Sequence, residues 1–97
     1  MHLLDQQLAE IEELSGLFLT ADEIAILLDL DIEAFMKCIN NRKGDAYKAY
    51  FRGKTKSKKL IRENVVKMAR NGSPQAEEMV DGYISAQIQF EKRHNER

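Results

Sequence analysis

The sequence has little of what most catalytic sites require. One cysteine, Cys38, stands among 97 residues, so no internal disulfide can form and a reducing, cytoplasmic location is expected. The two histidines, His2 and His94, lie at opposite ends of the chain. No Cys/His cluster exists to hold a metal, and Cys38 has no base near it in sequence to activate it. Falling four residues after Ala34 and just before Ile39, Cys38 reads as a small packing residue. No catalytic residue, metal or cofactor is therefore expected. No apolar run approaches the roughly 18 residues that span a bilayer, so no membrane association is expected. The opening MHLLDQQLAEIEEL carries acids where a signal peptide would be basic and lacks an apolar h-region. Proline occurs once and tryptophan not at all.

What is present is helical. The chain is 43% hydrophobic and 32% charged, and its apolar residues recur with a period near 3.6 rather than 2. The expectation is an all-α chain of about five helices forming a single domain over 1–97. An acidic region with a helix-turn-helix (1–41) would precede a basic long helix and a C-terminal helix (45–92). Leu4, Leu8, Ile11 and Leu14 mark a first helix near 3–14, ended by Ser15-Gly16. Thr20 opens T-A-D-E, a capping box, ahead of a second helix. Asp31 is a good N-cap for a third helix near 32–40. Asp45 can cap a fourth, from Ala46 to Arg70. Asn71-Gly72 supplies a C-terminal stop, and Ser73-Pro74 starts a fifth helix near 74–92. The tail KRHNER is expected to fray.

The net charge of −1 conceals a strong asymmetry. Residues 1–36 hold nine acids and no Lys or Arg. Residues 37–62 hold ten bases, Lys37, Arg42, Lys43, Lys48, Arg52, Lys54, Lys56, Lys58, Lys59 and Arg62, against the one acid Asp45. Such a distribution points to a polyanion partner or to pairing of the two regions within or between subunits. Gly53-Lys54-Thr55 invites a nucleotide-loop reading, but a phosphate-cradling loop needs a glycine five positions before Gly53. Lys48 stands there, and no apolar strand leads in. The nucleotide-loop reading fails.

On a helical wheel with Lys48 at the origin, Tyr47, Tyr50, Phe51, Ile61, Val65, Met68 and Ala69 fall between about 200° and 300°. Lys48, Arg52, Lys56, Lys59, Arg62, Lys67 and Arg70 fall on the opposite side, from about 320° through 0° to 100°. One flank is expected to pack and the other to present cations to nucleic acid, with the aromatics serving as core or interface rather than stacking platforms. Gly53 costs such a helix about 1 kcal/mol relative to Ala. Lys54 and Lys58 intrude on the apolar arc, so a break near 53–57 is the alternative, and it would free these two lysines for phosphate contact.

TADEIAILLDLDIEAFMKCIN, residues 20–40, has helix-turn-helix spacing. Ala25 is the small residue at the helix crossing, Leu28 and Leu30 bracket the turn, and Phe35 with Cys38 or Ile39 locks the second helix. Asp29 sits where glycine is common, and it tolerates a left-handed backbone better than most residues. The would-be recognition helix opens with Asp31 and Glu33, which repel phosphates. Only Lys37 and the Asn40–Lys43 end are receptive.

These elements together resemble the small terminase subunits of tailed bacteriophages and prophages. The shared residues are Thr20, Glu23, Ile24, Ala25, Leu27 and Leu28 of a T-x-x-E-I-A-x-L-L helix-turn-helix. Tyr50 and Gly53 follow in Y-x-x-G, then Leu60, Arg62, Ala69, Gly72 and Ala76 in a basic helix. The resemblance implies a non-catalytic, double-stranded-DNA-binding homo-oligomer that self-associates through a helical hairpin. It also implies a large terminase subunit as a further partner. The alternatives are a helix-turn-helix transcription regulator and a self-associating protein-interaction adaptor.

Overall fold

The computed structural model describes residues 1–95, and within them the chain is all-α with five helices and no strand. These are α1 (Asp5–Ser15), α2 (Ala21–Leu27), α3 (Ile32–Asn40), α4 (Asp45–Arg70) and α5 (Pro74–Asn95). Length suggests one domain; the packing forms two compact units, Met1–Lys59 and Leu60–Arg97, with the division inside α4. No described helix is long and apolar enough to cross a membrane.

Helix boundaries follow from local hydrogen bonds. Thr20 Oγ1 accepts from the Glu23 amide at 3.2 Å while the Thr20 amide donates to Glu23 Oε1 at 2.9 Å, closing the capping box and fixing the start of α2. Asp31 Oδ2 accepts from the Ala34 amide at 2.9 Å and so fixes α3. Asp45 is the first residue of α4 rather than its cap, because Gly44 closes a turn back onto the Asn41 carbonyl at 2.9 Å. Asp29 adopts φ 54°. This left-handed residue lets Leu30 donate to the Ala25 carbonyl at 2.8 Å and Asp29 to Ile26 at 3.2 Å, the paired bonds of a Schellman ending. Gly72, at φ 92°, ends α4 in the same way. The amides of Ser73 and Gly72 donate to the carbonyls of Met68 and Ala69.

Most of the core lies in the first unit. Ile11, Ile24, Ala25 and Phe35 are fully buried, joined by Ala21, Ile39, Ala46, Ala49 and Tyr50. Leu28, Leu30 and Cys38 pack partly buried against them, as the helix-turn-helix spacing requires. α4 meets this core with Ala46, Ala49, Tyr50 and Gly53, a face of mostly small residues. The expected packing arc of Tyr47, Tyr50 and Phe51 is therefore displaced by part of a turn, and Phe51 is 41% exposed.

The cause is Gly53. A Cβ built there would overlap the Glu12 carbonyl oxygen and the Ser15 hydroxyl, so α1 and α4 cross with almost no side chain between them. Gly16 sits at the same crossing, where an added Cβ would lie 3.0 Å from Ser57 Oγ and 3.4 Å from the Gly53 carbonyl. Ser57 Oγ donates to the Gly16 carbonyl at 2.6 Å, and buried Ser15 donates to the Glu12 carbonyl at 3.0 Å. The helix does not break at 53–57.

The Leu60–Arg97 unit is a helical hairpin of the C-terminal part of α4 with α5. Arg62 places its guanidinium 4.2 Å from the Tyr83 ring centre. Ala76 is the one buried hydrophobic residue among its described residues, while Leu60, Ile61, Met68, Met79, Ile84, Ile88 and Phe90 are exposed. Of the tail expected to fray, residues 92–95 continue α5, and the His94 ring stacks on Phe90 at 4.0 Å. Glu96 and Arg97 lie outside the described residues.

Two glycines in helix interiors should respond in opposite ways to alanine. Gly53→Ala gains helix propensity but forces α1 away, and should lower stability by about 1–3 kcal/mol. Gly82→Ala meets no atom within 4 Å and should raise the stability of its helix by up to about 1 kcal/mol. Urea denaturation followed by circular dichroism reads both, and a neutral Gly53→Ala would contradict the close crossing.

Candidate nucleic-acid interface

The cations of the first unit divide by position on α4. Lys48, Arg52, Lys56 and Lys59 are spaced four, four and three residues apart on one exposed stripe, spanning about 16 Å along the axis at 1.5 Å per residue. Arg42 and Lys43 are exposed in the turn just before α4, where the Lys43 amide donates to Asn41 Oδ1 at 3.3 Å. Lys37 is exposed in the last turn of α3. Arg62 belongs to the second unit, where it stacks on Tyr83.

Because the helix continues through 53–57, Lys54 and Lys58 stay off the stripe. Lys54 is partly buried, with its ammonium 4.3 Å from the Tyr50 ring centre and 5.6 Å from that of Phe51. This is a cation–π seat, and it accounts for a lysine intruding on an aromatic flank. Lys58 is exposed on the same side as Lys54.

The displaced packing face brings the stripe to the edge of the α1–α4 contact. There Glu12, on α1, reaches two of its cations. Glu12 Oε2 lies 2.9 Å from Lys56 Nζ, and Oε1 lies 3.5 Å from Arg52 Nη1. The side chains of Arg52 and Lys56 nevertheless keep 57% and 64% of their surface, against 28% for Glu12. The Lys56 hydrogen bond, with the nearby charges of Lys56 and Arg52, holds the Glu12 carboxyl below its ordinary range. The sequence pattern does not mark Glu12 among nine N-terminal acids. The signal that finds it is the pair of small residues, Gly16 and Gly53, that brings its helix onto α4.

Beside this pair, Leu8, Ala9, Glu12, Asp45, Lys48, Ala49 and Arg52 line a groove of about 340 Å³. Its wall therefore holds two carboxylates and two cations. A second hollow, of about 170 Å³, has His2, Cys38, Asn41 and Asp45 among its lining residues. Among the described residues no group of three or more His, Cys, Asp or Glu could hold a metal ion. The start of α3 presents exposed Glu33 and the capping Asp31, so the end of that helix nearest a DNA groove in a helix-turn-helix is acidic here.

No protein-family model matches the chain, and neither does any curated protein or solved structure.

The lowered Glu12 pKa fixes the sign of a pH effect. Its pairing contributes stability that is complete above the unfolded glutamate value, about 4.3. That contribution is lost as pH falls through the lower folded value. The stability difference between the native chain and Glu12→Gln should therefore be constant near neutrality and vanish in acid. Denaturation midpoints measured across that range check it, and a difference that grows in acid would contradict the pairing.

Proposed function

We propose that this chain is a non-catalytic DNA-binding protein that acts as an oligomer, in the manner of a phage small terminase subunit recognising viral DNA for packaging. The observation that carries the reading is the stripe of Lys48, Arg52, Lys56 and Lys59 on one exposed side of a continuous helix. Arg42 and Lys43 are exposed just ahead of it. Cations at this spacing neutralise phosphates and release counterions, which gives binding that is steep in salt and largely indifferent to base sequence. The acidic start of α3 argues in the same direction, since two carboxylates there disfavour readout of bases by that helix. Phosphate contact is assigned to Arg42, Lys43, Lys48, Arg52, Lys56 and Lys59.

Self-association draws support from the Leu60–Arg97 unit. Ile61 and Met68 lie two turns apart on one flank of α4, and helical spacing places Met79 and Phe90 on one flank of α5; all four are exposed. A hairpin that buries so little of its own apolar surface suits burial against further copies. A large terminase subunit is the further partner this reading entails. Pairing of acidic and basic regions between copies, the adaptor alternative, has one specific observation in its favour. Glu12 already pairs with Arg52 and Lys56 inside a single chain.

Replacing Arg52, Lys56 and Lys59 together by glutamate should abolish binding to duplex DNA in a gel-shift titration at low salt; unchanged affinity removes the DNA-binding reading. Phe90→Glu combined with Met79→Glu should lower the mass of the assembly measured by light scattering while leaving helicity near that of the native chain. An unaltered mass would exclude the hairpin as the contact, and a native chain that is already monomeric would exclude self-association itself.

A further inference from the structure

Glu12 touches the proposed DNA surface without being able to hold phosphate. Its two carboxylate oxygens meet one cation each, Oε1 with Arg52 and Oε2 with Lys56. A single anionic group held by two cations one helical turn apart has the arrangement that a backbone phosphate would adopt at the same place. The position is not adjustable by small shifts of the backbone. Glu12's own carbonyl lies against Gly53, and Ser57 ties Gly16 to α4 at 2.6 Å. The carboxylate can leave only by rotating its side chain, while α1 stays docked.

From this geometry we propose that Glu12 is a built-in competitor for phosphate, an autoinhibitory carboxylate that occupies Arg52 and Lys56 until a nucleic-acid backbone displaces it. The inference rests on the DNA-binding reading and adds a regulation to that same surface. Both cations remain more than half exposed, so an incoming phosphate can reach them while Glu12 is still in place. Solvent-exposed ion pairs of this kind are weak and salt-screened, which makes the exchange reversible. An isolated phosphate gains little by replacing a carboxylate that is already there. A duplex, which meets Lys48 and Lys59 of the same stripe in the same event, gains several contacts for one displacement. The carboxylate thus sets a threshold that favours extended polyanions over single phosphates.

The test compares Glu12→Gln with Glu13→Gln. Both remove one negative charge from α1, but exposed Glu13 is not the residue seated between Arg52 and Lys56. Affinity for a mixed-sequence duplex is measured for the native chain and both variants over a salt series, and thermal melts confirm that each variant is folded. Glu12→Gln should bind about five-fold more tightly than Glu13→Gln, the size expected from releasing two exposed ion pairs. Its salt dependence should be steeper, by up to about two counterions. Equal gains in the two variants would reduce the effect to net charge and overturn the competitor role while leaving DNA binding intact. Weaker binding by Glu12→Gln would overturn it too, by showing that the carboxylate positions the cations. Absence of binding in the native chain and both variants would overturn this inference together with the reading it rests on.

Discussion

The near-contact of two backbones at Gly53 organises the first unit. Glycine in a helix interior is costly, and nothing in local propensity explains its presence there. Its use is geometric. With no Cβ at Gly53, the carbonyl of Glu12 and the hydroxyl of Ser15 can sit against α4. With none at Gly16, Ser57 can reach that residue's carbonyl. The Ser57–Gly16 hydrogen bond and a stripe of small residues, Ala46, Ala49 and Gly53, then do what larger apolar side chains do elsewhere. The contact is directional, so it fixes which side of α4 faces inward.

Fixing that side determines the electrostatics. On a helix packed through Tyr47, Tyr50 and Phe51, the cations would stand diametrically opposite the core and out of reach of α1. Packing through Ala49 and Gly53 turns them toward the seam. Arg52 and Lys56 become neighbours of an α1 carboxylate, while Lys54, held on the aromatic flank by helical spacing alone, rests over Tyr50 and Phe51. The crossing thus gives the stripe its resident anion, and helical spacing sets Lys54 and Lys58 apart from it. Charge opposition between the first 36 residues and the next 26 is real, yet in the described ion pairs of the basic stripe it is one glutamate that carries it.

Local chemistry was legible in the sequence wherever a residue type has a single strong use. Thr20 with Glu23, Asp31, Ser73 and Gly72 each take the capping role their side chains suit, and Asp29 takes the left-handed backbone expected of it. Phe35, Ile39, Ile24 and Ala25 enter the core because the helix-turn-helix spacing leaves them no other side. What the pattern misjudged was the centre of α4's packing face: Tyr50 is buried as expected, but Ala46, Ala49 and Gly53 pack beside it in place of Tyr47 and Phe51. A hydrophobic wheel weights large apolar side chains and scores alanine and glycine low, so it placed the face on the aromatics. Close crossings select by smallness instead, and a wheel of hydropathy is blind to that preference. For the same reason Glu12 was indistinguishable from its neighbours: its partners depend on which helix lies next to its own.

The two units settle their apolar surface in different ways, and this bears on what the chain does. The first closes nine hydrophobic residues into a core and ties its helices with side-chain bonds. The second buries little beyond Ala76 and leaves six large hydrophobic residues of its two helices exposed besides Leu60. Two helices alone rarely hold together below about 40 residues without disulfides, metals or association, and the lone Cys38 offers no disulfide. On the proposed reading, association supplies the missing burial, and it also multiplies the basic stripe. On that same reading, a stripe of four cations, two of them shared with Glu12, would by itself be a modest ligand for DNA. Repeated around the proposed oligomer it would become avid, because each further stripe would engage a backbone already held nearby. Weak sites that are individually restrained and jointly strong suit a protein that must grip a long duplex without fixing on isolated phosphates.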